Sequence, residues 1–237
     1  MAKVSQNISS ESLFHFIRQR EWLLEILHNK FFQARYVYED LPELRLKVGI
    51  PMKCFCDIPL GLIKKHLNKY GKYGLGITKS FAKENYLSPV FYVHENSDAF
   101  YRYISNIDAE NYNSNLSLVP YFKVDIRTSK SAEGKNVTYR FYDEREWRFI
   151  PSGADSIEFS ESDDVINRLD IENKKLEKNR SKYILPFDYT DITYIFVQHE
   201  KDVDNVIEEI RKIPTSNTQQ DRLISKIITS KQIERDF

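Results

Sequence analysis

Leu13-Phe14-His15-Phe16, followed by Arg18 to Lys30 with Trp22, Leu23, Ile26 and Leu27, is the stretch on which the fold reading turns. Aromatic and aliphatic residues around His15 read as a short strand. The i, i+1, i+4, i+5 spacing of the next four apolar residues marks one face of a helix. Outward from this strand–helix unit, the segment from Phe32 to Val48 lacks clear periodicity and is acidic in its middle, so it reads as a loop. Pro51 to Cys56 reads as a strand with Asp57 as a cap. Pro59 opens a helix running to Tyr70, because proline suits a first helical turn. Gly71, Gly74 and Gly76 place three of the seven glycines within six residues. Glycine there permits positive φ or close backbone approach.

Further along, Tyr73 to Thr78 and Pro89 to Val93 read as strands, with a short helix over Lys79 to Tyr86 between them. A helical stretch at 95–108 leads into an Asn/Ser-rich loop at 109–117. Leu118 to Ile126 and Val137 to Ile150 read as strands around a polar loop at 128–136. The charged segment 161–182 reads as a solvated helix or lid. Ile192 to Val197 is a β-branched and aromatic run of the buried-strand kind. Amphipathic helices at 203–213 and 219–233 fill the C-terminal region of about 203–235. The expectation is a single α+β domain over 1–237. It has an early strand–helix unit and a mostly antiparallel mixed sheet flanked by helices.

Composition bounds the function. The chain has 237 residues, 35 Lys+Arg against 35 Asp+Glu, and 41% hydrophobic residues. This is a globular composition. Zero net charge argues against a basic nucleic-acid clamp. No apolar run approaches the ~20 residues of a membrane helix, and the first residues lack a signal-peptide core. A cytoplasmic protein is expected. Fifteen Tyr, 15 Phe and 2 Trp supply far more rings than usual. The two cysteines, Cys54 and Cys56, lack the further ligands a metal would need and read as small buried hydrophobes. Glycosylation-type triplets, such as those at Asn7, Asn115 and Asn136, carry no meaning in a cytoplasmic protein.

Tyr139-Arg140-Phe141-Tyr142-Asp143-Glu144-Arg145-Glu146-Trp147-Arg148-Phe149 carries most of the candidate chemistry. As a strand it puts Tyr142, Glu144, Glu146 and Arg148 on one face and Arg145, Trp147 and Phe149 on the other. Paired carboxylates raise each other's tendency to stay protonated unless Arg148 or a substrate cation compensates. Such a site stabilises a cationic, oxocarbenium-like centre. The plainer reading is a ladder of surface ion pairs with the Trp147 face buried. His15 reads as a holder of a ligand hydroxyl or, more plainly, as a core histidine bonded to a carbonyl. His66 and Tyr70 are helical neighbours that read as a polar-tipped core face. The glycine cluster is neither G-x-G-x-x-G nor placed between a strand and a helix, so dinucleotide-fold and P-loop sites are disfavoured.

Several blocks together resemble the AbiGi family of bacterial abortive phage-resistance proteins. They are Ser10 to Phe16, Pro51 to Leu60, His66 to Gly74, and Phe141 to Arg148, with Cys54-Phe55-Cys56-Asp57-Ile58-Pro59 and Arg145-Glu146-Trp147-Arg148 the most specific. The resemblance covers nearly the whole chain and implies either a toxin or an antitoxin role, with a partner protein encoded nearby or a phage protein. A more distant similarity links the opening unit to ADP-ribosyltransferase-like domains. It implies an NAD-binding cleft in which His15 contacts ribose, Glu146 is catalytic and Glu144 assists. Tyr70 or Tyr73 would stack on nicotinamide, with Phe16 and Arg148 lining the cofactor site and no metal required. The chain departs from that pattern at Phe16, where a small or hydroxyl residue is common. The main expectation is therefore an anti-phage protein that transfers ADP-ribose or cleaves NAD. The alternative is a non-enzymatic antitoxin or sensor that binds a partner protein. Single-strand nucleic-acid binding through Lys64, Lys65, Lys69 and Lys72 ranks last.

Overall fold

The computed structural model describes residues 9–41, 46–105, 118–130 and 134–236. The loop expected at 109–117, the triplets at Asn7 and Asn115, and Phe237 lie outside the described residues. The architecture is mixed α+β with a mostly antiparallel main sheet. The chain divides into two compact units, each assembled from separate segments: 1–32, 55–86 and 185–237 form the first, and 33–54 and 87–184 the second.

In the first unit, strand Ser12–Ile17 and helix Arg20–Asn29 realise the expected opening. The strand pairs antiparallel with Tyr73–Thr78, from Ser12 opposite Thr78 to Ile17 opposite Tyr73, and Phe14 stands opposite Cys56. Tyr73–Thr78 also pairs antiparallel with Ile192–Val197, which pairs parallel with Ile227–Thr229. On one face Phe14, Phe16, Cys56, Ile63, Leu67, Phe196 and Ile233 form a core. The Phe16 and Phe196 rings lie 5.1 Å apart. Two of the clustered glycines make room for these rings. A Cβ on Gly76 would stand 3.1 Å from the Phe14 ring and 2.7 Å from Thr193 Oγ1, and one on Gly74 would meet the Phe16 ring. Gly71 has φ 139°, a conformation that only glycine adopts without strain, and it lies against the Ile17 carbonyl.

Two expectations for this unit change. Asp57 caps no helix; it accepts the Ser10 N–H at 2.8 Å and pairs with Lys79 at 2.9 Å. The segment 219–233 is not one helix. Helix Asn217–Ile224 ends before strand Ile227–Thr229, and helix Ser230–Asp236 follows. The β-branched run Ile227-Ile228-Thr229 gains a partner in Ile192–Val197, and that pairing overrides the helical spacing.

In the second unit, the expected loop at 32–48 is instead strand Arg35–Leu41, paired antiparallel with Leu46–Cys56. Tyr36, Val37 and Tyr38 favour the pleated surface, and Asn173 of helix Val165–Lys178 bonds both the N–H and the carbonyl of Tyr36. The charged segment 161–182 thus holds a packed helix, capped by Asp164. Strand Ile157–Glu158 flanks Leu46–Cys56, where Gly49 lets the Ile157 side chain approach. Strand Glu146–Phe149 follows Leu46–Cys56 in the strand order and pairs antiparallel with Ser88–Pro89. Phe91–Val93 pairs parallel with Phe122–Val124, and Ile126–Lys130 forms a hairpin with Asn136–Arg140. Of the polar loop expected at 128–136, residues 128–130 and 136 belong to the strands of that hairpin, and 131–133 lie outside the described residues. Among the described residues, Ile50, Met52 and Val119 belong to one small core of this unit and Phe100, Phe122 and Val124 form another.

Candidate functional site

The Glu-x-Glu stretch departs from a continuous strand. The chain leaves strand Asn136–Arg140, makes a single 3₁₀ turn over Phe141–Glu144, and enters Glu146–Phe149 through Arg145 at φ 45° and ψ 49°. A left-handed arginine is costly, of order 1–2 kcal/mol. Glu144, in the turn, and Glu146, in the strand, converge on one ammonium. Lys123 Nζ donates to Glu144 Oε2 at 3.2 Å and to Glu146 Oε2 at 3.0 Å. Lys123 comes from strand Phe122–Val124, a single cation between two buried apolar residues.

Arg148, fully buried at 0% exposure, closes the cluster from the other side. Its Nε donates to Glu146 Oε1 at 2.9 Å, one terminal nitrogen donates to Glu39 Oε1 at 2.6 Å, and the other to the Pro120 carbonyl at 2.6 Å. The Cys54 thiol hydrogen-bonds Glu146, and the Glu146 N–H donates to the Tyr92 hydroxyl at 2.9 Å. The strand's faces are therefore opposite to expectation. Glu146 and Arg148 face inward, while Trp147 and Phe149 are only half-buried. The charges can face inward because each meets a counter-charge there.

The electrostatics follow from that arrangement. Burial pushes the Glu146 carboxyl up, but Arg148 and Lys123 outweigh it and hold the group at about 2. Burial pulls Lys123 down, yet Glu146, Glu39 and Glu144 raise it above the ordinary lysine value. Burial and the Glu146 charge push the Cys54 thiol well up, so it stays protonated as a donor. Tyr142 is 60% exposed and lies edge-on to Tyr92, with ring centres 5.4 Å apart. Three partners of the cluster, Glu39, Tyr92 and Lys123, were not singled out in the sequence. Only Lys123 carried a signal, as a lone charge inside an apolar strand.

The remaining candidates lie in the first unit. His15 packs its ring against Phe32 at 5.8 Å and Phe55 at 5.7 Å. Phe16, its neighbour in the strand, points to the opposite face and into the Phe14–Phe196 core. Tyr73, opposite Ile17 in the register, shares the His15 face; its buried hydroxyl donates to Asp202 at 3.1 Å, and burial and this bond raise it to about 12. Tyr70 ends helix Lys64–Tyr70, whose Leu67 packs into the Phe16 core; its half-exposed ring lies 4.9 Å from that of His66. The cofactor-site expectation thus draws on two faces of one sheet, His15 and Tyr73 on one, Phe16 and Tyr70 on the other. Phe16 fills core, and both Glu146 oxygens already accept from cations of the fold. Among the described residues no group of three or more His, Cys, Asp or Glu side chains is arranged to hold a metal ion, and no helix is long and apolar enough to cross a membrane. Cys56 is core, as expected; Cys54 also packs on apolar neighbours, and neither cysteine is in a disulfide.

An α+β chain whose second unit holds an internal ion cluster, with Glu146 and Arg148 facing inward, is the class that the structure defines. Residues 31–198 match the family described as "abortive phage resistance protein AbiGi, antitoxin". The chain belongs to the AbiGi family. It is 28% identical to the abortive phage resistance protein AbiGi of Lactococcus lactis subsp. cremoris, over 87% of this chain and 99% of that protein. No solved structure matches the chain.

Proposed function

We propose that this chain is the antitoxin of an abortive-infection pair in anti-phage defence, a protein that binds and restrains a partner protein encoded nearby. The observation that carries this reading is the internal use of Glu146. A carboxylate that stabilises a substrate cation must face that cation in a prepared site. Glu146 instead bonds Arg148, Lys123 and Cys54. The family's description as an antitoxin supports the same reading.

The test is co-expression of the chain with each neighbouring gene. On this reading the chain alone leaves growth unaffected. A neighbour's product arrests growth, and the chain relieves the arrest and co-purifies with that product. Growth arrest by the chain alone would overturn the reading. So would release of nicotinamide from NAD by the purified chain, lost in Glu146→Gln, which would restore the ADP-ribosyltransferase reading.

A further inference from the structure

The hairpin Ile126–Lys130 and Asn136–Arg140 stands apart in composition from a chain of zero net charge. It carries Arg127, Lys130, Lys135 and Arg140, and no carboxylate at any described position. Its register places Lys130 opposite Asn136, Thr128 opposite Thr138, and Ile126 opposite Arg140. Directly opposed residues share a face. All six of these side chains are exposed, and the two threonine hydroxyls bond each other at 3.1 Å. The other face is partly covered, with Val137 and Arg127 half-buried and Arg127 donating to the Asp40 carbonyl. The hairpin forms a sheet of two strands, and a ribbon of two strands is marginally stable by itself. Its outer edges present backbone groups of the kind that an added strand pairs with.

We propose that the face formed by Ile126, Thr128, Lys130, Asn136, Thr138 and Arg140 docks an extended acidic segment of the protein partner. The proposal rests on the antitoxin reading and names its surface. Lys130 and Arg140 mark the two ends of the face, four strand steps or about 14 Å apart. An extended segment returns a side chain to the same face every second residue, so carboxylates four residues apart meet both cations. The hydroxyls and amide between them supply neutral hydrogen-bonding groups. The chemistry favours a peptide over a nucleic-acid strand. The one aromatic ring at the hairpin's described positions, Tyr139, lies on the other face with Arg127, so this face offers no platform for base stacking.

The experiment uses the full-length chain and a fluorescein-labelled peptide of alternating glutamate and threonine, read by anisotropy at low salt. An alternating lysine–threonine peptide and a single-stranded oligothymidylate serve as comparison probes. The acidic peptide is expected to bind, and the double variant Lys130→Glu/Arg140→Glu to weaken it about 2- to 30-fold, as loss of two exposed ion pairs implies. If the charge-reversed variant misfolds by circular dichroism, Lys130→Gln/Arg140→Gln takes its place. Absence of binding, equal binding by the variant, or tighter binding of the oligothymidylate would overturn the proposal. In the co-expression assay the variant is expected to lose the relief of growth arrest that the parent chain gives. If both relieve it equally, the docking face lies elsewhere and the antitoxin reading stands. If the parent chain gives no relief, the antitoxin reading itself fails and the docking proposal falls with it.

Discussion

Replacing Arg148 by Met should destabilise the second unit by about 3–5 kcal/mol, the cost of breaking a buried ion pair by removing one partner. The structure shows why the upper part of that range applies. The guanidinium is wholly buried and donates to Glu146 at 2.9 Å, to Glu39 at 2.6 Å and to the Pro120 carbonyl at 2.6 Å. Methionine keeps much of the stem volume but leaves Glu146 facing Lys123 and the Cys54 thiol alone, and it leaves the Pro120 carbonyl without this donor. Adding Glu146→Gln removes the stranded charge, so the double variant should recover about half of the loss or more. Urea unfolding followed by Trp147 fluorescence in a Trp22→Phe background reads the second unit. With a slope of about 1–3 kcal/mol per molar, the midpoint of Arg148→Met should fall by roughly 1–5 M. A loss under about 1 kcal/mol, or a double variant no better than the single one, would refute the internal-cluster account.

Three further outcomes follow from the geometry. Glu146 titrates at 4.5 ordinarily and at about 2 in the fold, so its contribution of about 3 kcal/mol is present above pH 4.5 and lost as pH falls toward 2; the stability gap between the parent chain and Glu146→Gln should narrow over that window, and a gap constant from pH 6 to 2 would contradict the assignment. Gly71→Ala should cost at least about 1–3 kcal/mol, because φ is 139° and the new Cβ meets the Ile17 carbonyl, whereas Gly61→Ala, with open space around it, should be neutral or stabilising in the same thermal melts. Tyr73→Phe removes the hydroxyl that donates to Asp202 at 3.1 Å and should lower stability by about 1.5–3 kcal/mol, measured by urea unfolding of the first unit through Trp22.

The parts of the fold legible in the sequence were those set by local pattern. The opening strand–helix unit, the strands at 73–78 and 192–197, and the helix expected at 203–213 and observed as Glu200–Lys212 all carry strong periodicity or β-branched runs. The misread parts were set by partners distant in the chain. Arg35–Leu41 looks irregular because its acidic residues face solvent or reach Arg148, while Asn173, 137 residues on, bonds the Tyr36 backbone. Ile227–Thr229 is a strand only because Ile192–Val197 lies beside it. The candidate site divides in the same way. Glu144, Glu146 and Arg148 stand out as a motif, and they do meet within the second unit. Their meaning depends on Lys123, signalled only as a lone charge between apolar residues, on Glu39, which no local spacing announces, and on the left-handed turn at Arg145, which an arginine does not signal. The same cations that complete the motif also make the pair of acids part of an internal ion cluster.

The most direct test of the central claim expresses the Glu146→Gln/Arg148→Met variant, checked for folding by circular dichroism, beside the neighbouring gene whose product arrests growth. The account predicts that this variant relieves the arrest as fully as the parent chain, because it assigns the acids and the arginine to holding the fold. A folded variant that gives no relief would contradict it.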